Sequence, residues 1–191
     1  MNHMPTRRTL LQTGAISLLV GPGVGASAST PEAQAIPSDL VELPGARRVG
    51  ASRMRFFGFD VYDAALWVTP GFRASRYATH ALALELTYLR SLSGTAIAER
   101  SIQEMRRGAN IAELQEQRWL SAMREAFPDV RKGDRLTGIH QPGTGARFWF
   151  NGQLRSSIPD PEFSRLFFGI WLAETTSEPA LRTALLSGAP P

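Results

Sequence analysis

From residue 53 onward the chain settles into a period of two. Met54, Phe56, Gly58, Asp60 and Tyr62 share one face, and Phe57, Phe59 and Val61 share the other; residues 64–68 carry the run on until Thr69-Pro70-Gly71 ends it. Aromatics on both faces predict a strand interior to a sheet, or one shared between the core and a pocket. Residues 81–90 predict a second strand, with Leu82, Leu84, Leu86 and Tyr88 on one face and Glu85, Thr87 and Leu89 on the other. Three shorter strands follow at residues 134–140, 146–150 and 153–157, joined by turns at Gly143-Thr144-Gly145 and Asn151-Gly152, the latter a strong hairpin signal.

Between and after these strands the period lengthens to that of a helix. Ser93 is a candidate N-cap for a helix over 94–107 that ends at Gly108, with Ala98, Ile102 and Met105 on its apolar side. A second helix is expected from Asn110, with Leu114, Leu120, Met123 and Phe127 as its stripe and Pro128 as its stop. Asp160-Pro161 reads as an N-cap followed by proline at the first helical position, and Phe163, Leu166, Phe167, Ile170 and Trp171 form the buried side of the helix it opens. A last helix covers residues 178–186. Blocks of hairpin-linked strands separated from helical blocks imply an α+β fold, an antiparallel sheet with helices packed on one face. The 191 residues suffice for one domain with a full core, and no internal repeat divides them.

The N-terminus reads as export signal and not as fold. Arg7 and Arg8 precede an apolar, glycine-rich run over residues 10–24, and Ala26-Ser27-Ala28 offers a small-x-small cleavage site. Thr6-Arg7-Arg8-Thr9-Leu10-Leu11 is similar to a twin-arginine motif, with an ordinary secretory signal as the alternative; both deliver the chain to the periplasm. The division expected is signal 1–28, an extended arm 29–44 punctuated by Pro31, Pro37 and Pro44, and a domain over 45–191. The apolar run is short and diluted by glycine and proline, so no stable membrane span is expected in the mature chain. With no cysteine the chain has neither disulfides nor thiolate chemistry, and no bacterial lipid anchor. Removing the signal leaves 19 basic against 17 acidic residues, a net +2. Lys132 is the single lysine, so the basic character comes from arginine usage; no basic run interleaved with aromatics points to nucleic acid.

VYDAALW at Val61, LTYLRSLSG at Leu86, KGDRL at Lys132, Asn151-Gly152 and IPDPEF at Ile158 followed by IWL at Ile170 occur in an order that resembles the chalcone isomerase-like family, in its bacterial exported branch. The resemblance spans residues 45–188. It implies a curved antiparallel sheet packed on one face by helices, an open-faced β-sandwich with a ligand cleft between the layers. In that family an arginine near the start of the first long strand and a hydroxyl residue further along it meet the polar end of the ligand. The resemblance assigns these roles to Arg53, with Arg47, Arg48 and Arg55 as rivals, and to Tyr62, where fatty-acid-binding relatives carry Tyr and catalytic isomerases usually carry Thr.

A guanidinium beside a phenol is a receptor for a carboxylate, since the fork takes two oxygens and the hydroxyl donates a further bond. The alternative is a Tyr62 that is simply a core aromatic and an Arg53 that is simply solvated. The same resemblance places Ile97 and Glu104 where an isomerase carries its catalytic Tyr and Asn, and Thr175 or Thr176 at a further polar pocket position. The reading is a non-catalytic periplasmic protein that takes an amphipathic carboxylate such as a fatty acid. Each buried methylene of its tail would add roughly 0.8 kcal/mol. The alternatives are an isomerase or intramolecular lyase acting on an enone, and an interaction protein whose cleft is filled by its own side chains. No cofactor is expected. Gly143-x-Gly145 belongs to a hairpin and opens no helix, and His80 and His140 lack companions at metal-ligand spacing and read as surface or strand residues.

Overall fold

The computed structural model describes residues 40–191; the signal expected at 1–28 and most of the arm expected at 29–44 lie outside the described residues. Six strands, β1 (Arg47–Phe56), β2 (Phe59–Val68), β3 (Leu82–Tyr88), β4 (Arg135–Gln141), β5 (Gly145–Phe150) and β6 (Gln153–Ile158), form one antiparallel sheet in sequential order. Between β3 and β4 come α1 (Gly94–Met105) and α2 (Glu113–Ala126); after β6 come α3 (Pro161–Leu172) and α4 (Pro179–Leu185). The fold is the expected α+β arrangement, an open antiparallel sheet with helices against one face.

The first strand differs from its expectation. Residues 53–68 are two strands, because Phe57 (φ 47°) and Gly58 (φ 80°) turn the chain back in a two-residue hairpin. Positive φ at both central positions is the primed turn whose twist matches that of the flanking strands. The glycine that signals it stands between Phe56-Phe57 and Phe59, residues that favour strands, so the alternation runs through it unbroken in the sequence. A bulge next to the turn pairs Met54 with Tyr62 and Arg55 with Asp60, leaving Val61 without a partner.

Period-two alternation sorts the sheet into two faces. Leu66, Leu84, Leu86, Tyr88, Leu136 and Phe148 point to the helices and form the main core with Ala98, Ile102, Met123 and the aromatics of α3. The opposite face carries a second, smaller cluster of Trp67, Ala83, Ile139 and Trp149, covered by Leu40, Leu43 and Ala46. The segment before β1 is therefore part of the packing. In α2 the buried side is Trp119, Met123 and Ala126, while Leu114 is exposed. The helix begins at Glu113, which turns Leu114 in its first turn away from the sheet.

Two polar nodes fix the helices. The Asp160 carboxylate accepts from the backbone N–H groups of Glu162 (2.9 Å) and Phe163 (3.0 Å), capping α3 as expected. Its other oxygen accepts from Trp119 Nε1 (2.8 Å) and Gln115 Nε2 (3.1 Å), so one side chain ties α2 to α3. His140, on β4 and fully buried, bonds the Ala78 carbonyl through Nε2 (2.9 Å) and Ser164 Oγ through Nδ1 (2.6 Å). A carbonyl can only accept, so Nε2 carries the proton and the serine hydroxyl donates to Nδ1. Around these nodes Phe163 and Phe167 stack at 5.5 Å, and Phe148 meets Phe167 edge-on at 5.2 Å. Gly94 lets the start of α1 approach the Phe127 carbonyl, where a Cβ would collide at 2.0 Å.

Asp160→Ala should lower unfolding free energy by about 2 to 4 kcal/mol, from the lost cap and the stranded indole donor, as read by denaturant titration. Burial holds His140 below its ordinary value of 6.5 against the opposing effect of the Ala78 bond. The unfolded chain therefore takes up this proton first. The contribution is complete above pH 6.5 and is lost as pH falls from there toward the folded value. Denaturant titrations of wild type and His140→Gln should show wild-type stability declining more steeply in that window.

Candidate functional site

Where the β1–β3 end of the sheet meets α1, α3 and α4, the layers part around a cavity of about 310 Å³. The opening follows from which side chains stand there. Toward β4 and β5 the phenylalanines of α3 fill the space between helix and sheet. Toward β2 and β3 the sheet presents Tyr62 and Tyr88, and α1 presents Ala96, Ile97 and Ser101 together with Arg100 and Glu104, which pair with each other. Leu86, Leu136, Phe127, Phe167, Ile170, Trp171 and Leu181 supply the apolar wall. The space is not filled by the chain's own side chains.

Polar groups enter it at a few points. Tyr62 and Tyr88 are directly opposed across β2 and β3, their rings edge to face at 6.0 Å. Trp171 Nε1 donates to the Tyr62 hydroxyl at 3.0 Å, leaving the phenolic proton available. The Tyr88 hydroxyl has no hydrogen-bond partner among the described residues. Burial pushes the Tyr62 hydroxyl up to about 12, against the bond from Trp171, and raises Tyr88 as well. Both phenols are neutral donors at any ordinary pH.

Charged groups line the rim. Arg100 pairs with Glu104 one helical turn on, at 2.6 Å. The Glu104 side chain is only 10% exposed, and its second oxygen, 3.8 Å from Arg107 Nε, makes no hydrogen bond. Arg90, two residues beyond Tyr88, lies over the Phe59 ring at 5.4 Å and has no carboxylate partner among the described residues. Arg90 is thus the lining cation whose charge is unspent.

Tyr62, Ile97 and Glu104 come together in this cleft. Arg53 does not join them. It pairs across β1 and β2 with Asp63, while its neighbour Met54 pairs with Tyr62, so alternation sends Arg53 to the opposite face. There its guanidinium binds both Asp63 oxygens (2.7 and 2.9 Å) and Asp60 (2.9 Å). The expected partnership of Arg53 with Tyr62 is corrected on that ground. The rivals do not replace it: Arg55 binds Asp60, Arg47 binds the Gly188 carbonyl, and none of Arg47, Arg48 and Arg55 lines the cavity. Thr176 is also elsewhere. Its hydroxyl donates to the Ile170 carbonyl (2.7 Å) and accepts from Glu178 N–H (3.1 Å), and it lines a separate cavity of about 220 Å³ together with Thr175. Sequence reasoning missed Tyr88, Arg90 and Trp171 as site residues. Tyr88 and Arg90 continue the face of Leu84 and Leu86 at a spacing of two, and that was the available signal.

Among the described residues no group of His, Asp or Glu is arranged to hold a metal ion, and no helix is long and apolar enough to cross a membrane. A family model described as chalcone isomerase-like matches residues 31–187. Among solved structures, a fatty-acid binding protein of Arabidopsis thaliana superposes with a TM-score of 0.58 at 13% identity, covering 75% of this chain and 87% of that one. At that identity the likeness concerns the fold. A search of curated proteins gives no significant match.

Trp171 donates to Tyr62 at a site shielded from water, so Tyr62→Phe should strand the indole N–H and lower stability by about 1 to 3 kcal/mol in denaturant titration. Tyr88→Phe, which breaks no bond, should leave stability nearly unchanged.

Proposed function

We propose that this chain, which belongs to the chalcone isomerase-like family, is a non-catalytic binding protein for an amphipathic carboxylate such as a fatty acid. The observation that carries the reading is an apolar cleft with a cation on its lining, Arg90, that no carboxylate of the protein neutralises. An alkyl tail would lie against Leu86, Leu136, Phe167, Trp171 and Leu181. The acid head would take the Arg90 fork and a hydroxyl proton from Tyr62 or Tyr88. A volume of about 310 Å³ is at the small end for ligand pockets, which suits one slender chain better than a polycyclic ring system. The ligand class named for the Arabidopsis structure agrees with this chemistry.

Binding without turnover is supported by the state of the titratable groups. Both phenols are neutral, Glu104 is engaged by Arg100, and Ile97 brings only a hydrocarbon surface to the cleft. A proton-transfer step needs a group poised near the working pH. We also propose that the protein acts in the periplasm, on the strength of Arg7-Arg8 and the apolar run after them, residues outside the described part.

Calorimetric titration of a saturated fatty acid and of its methyl ester tests the head-group assignment. Arg90→Ala should weaken acid binding by about 1.5 to 3 kcal/mol, the range for a hydrogen bond to a charged group, and leave the ester nearly unaffected. Arg53→Ala should leave both unchanged. Equal losses for acid and ester in Arg90→Ala would mean that Arg90 acts by packing and would overturn its role as the head-group receptor.

A further inference from the structure

We propose that the tip of the β1–β2 hairpin is a docking element for an anionic lipid surface, set beside the mouth of the cleft. Phe57 is 87% exposed, Phe59 63% and Phe56 47%, so three of the six large hydrophobic side chains exposed among the described residues lie within four positions. Single exposed apolar residues need no explanation, but a cluster at a protruding tip does. The turn itself sharpens the point. Phe57 sits at positive φ, a conformation sparsely populated by bulky residues, where asparagine or glycine would serve the turn better.

This tip is braced. On the face away from the cleft, Arg53 bridges Asp60 and Asp63, and Arg55 holds Asp60 at 2.8 Å, so charge-assisted bonds lock the two strands just below the turn. The two strands that carry the rings are thus cross-bridged just below the turn. On the cleft side two guanidiniums form a collar: Arg90 over Phe59 at 5.4 Å and Arg100 over Phe56 at 5.6 Å. An apolar tip ringed by arginines matches the profile of a bilayer surface, where rings enter the acyl boundary and guanidiniums remain at the phosphates.

Charge complementarity favours lipid over the other occupants. Arg53 and Arg55 are spent on Asp60, Asp63, and Arg100 on Glu104, which leaves Arg90 as an uncompensated positive charge at the tip. Three side chains on a convex hairpin also fall well short of the roughly 800 Å² per partner that a stable dimer buries. The tip is continuous with the cleft, since Phe56, Arg90 and Arg100 line the cavity as well. A docked tip would hold the cleft mouth against the lipid, a route by which an amphipathic ligand could pass without crossing water.

The proposal stands on the exposed rings of the tip and on Arg90 of the ligand-free chain, because an acid in the cleft would take that guanidinium. Its test is co-sedimentation of the full chain with phosphatidylcholine vesicles, with and without phosphatidylglycerol, for wild type and Phe57→Ser. Phe57 is exposed and outside the cleft lining, so the variant should fold and bind ligand as the wild type does. The apolar run at residues 10–24 is present in both proteins and contributes equally, so the difference between them reports the tip. We expect preferential sedimentation with the anionic vesicles that Phe57→Ser reduces at least tenfold and that added salt weakens. Sedimentation unchanged by Phe57→Ser, or equal with neutral and anionic vesicles, would overturn the proposal. So would self-association of the wild type that Phe57→Ser abolishes in the absence of vesicle binding, which would make a second copy the occupant.

Discussion

The period of two along β2 is the constraint on which the rest of the site depends. Tyr62 and Asp63 are neighbours in the chain, and the pleat sends them to opposite faces of one sheet. Tyr62 meets Tyr88, Trp171 and the helices; Asp63 meets Arg53 on the other side. A shift of one residue in the β1–β2 register would bring an arginine and an aspartate into the apolar layer and expel the tyrosine. The ion pairs of Arg53 are exposed and add little stability individually. Their geometry nevertheless agrees with the register that core burial imposes, and agreement between levels is what makes one pairing unique.

That sorting also explains why a cleft exists where it does. The helical layer is held to the sheet at its β4–β5 side by His140, which bonds Ser164 of α3, and by the Phe148–Phe163–Phe167 cluster, while Asp160 ties α2 to α3. At the β1–β3 side the same helices are supported by α4, where the glycine of β1 at position 50 lets the end of that helix approach until a Cβ would meet the Leu185 carbonyl at 2.2 Å. Between these two supports α1 supplies Ala96, Ile97, Ser101 and the paired Arg100 and Glu104, the sheet supplies Tyr62 and Tyr88, and the space between them stays open. The cavity thus lies between two attachments of the helical layer to the sheet.

Much of the fold was legible in the sequence because the local signals were unopposed. Ser93 and Asp160 cap the helices they were expected to cap, and Asn151, at φ 50°, makes the hairpin its dipeptide announces. The turn at Phe57-Gly58 was hidden because its first position carries a residue with no turn preference. Leu114 looked like core because its spacing to the later apolar residues suits a helix, yet in the first turn of α2 it is exposed, and the buried side is Trp119, Met123 and Ala126. The cleft was legible by half. The family resemblance pointed to Tyr62, Ile97 and Glu104, which line the cleft, whereas it assigned Arg53 against the alternation, which already put that residue on the face opposite Met54 and Tyr62. Once the Phe57-Gly58 hairpin is placed, the pairing of Arg53 with Asp63 agrees with that face, and the β2–β3 register brings in Tyr88, with Arg90 two residues further on.

The electrostatic character of the cleft follows from the same placements. A buried phenol without an adjacent base resists ionisation, so Tyr62 and Tyr88 contribute protons for hydrogen bonds and no negative charge. Glu104 would repel an acid ligand if it stood alone, but Arg100 binds one oxygen at 2.6 Å and Arg107 stands 3.8 Å from the other, which turns that wall close to neutral. What remains at the rim is Arg90, held over an aromatic ring that leaves its fork free to bond. One lining therefore carries an unspent guanidinium, two neutral phenol donors and an apolar wall from α3 and β3, the set of groups that the proposed amphipathic acid would require.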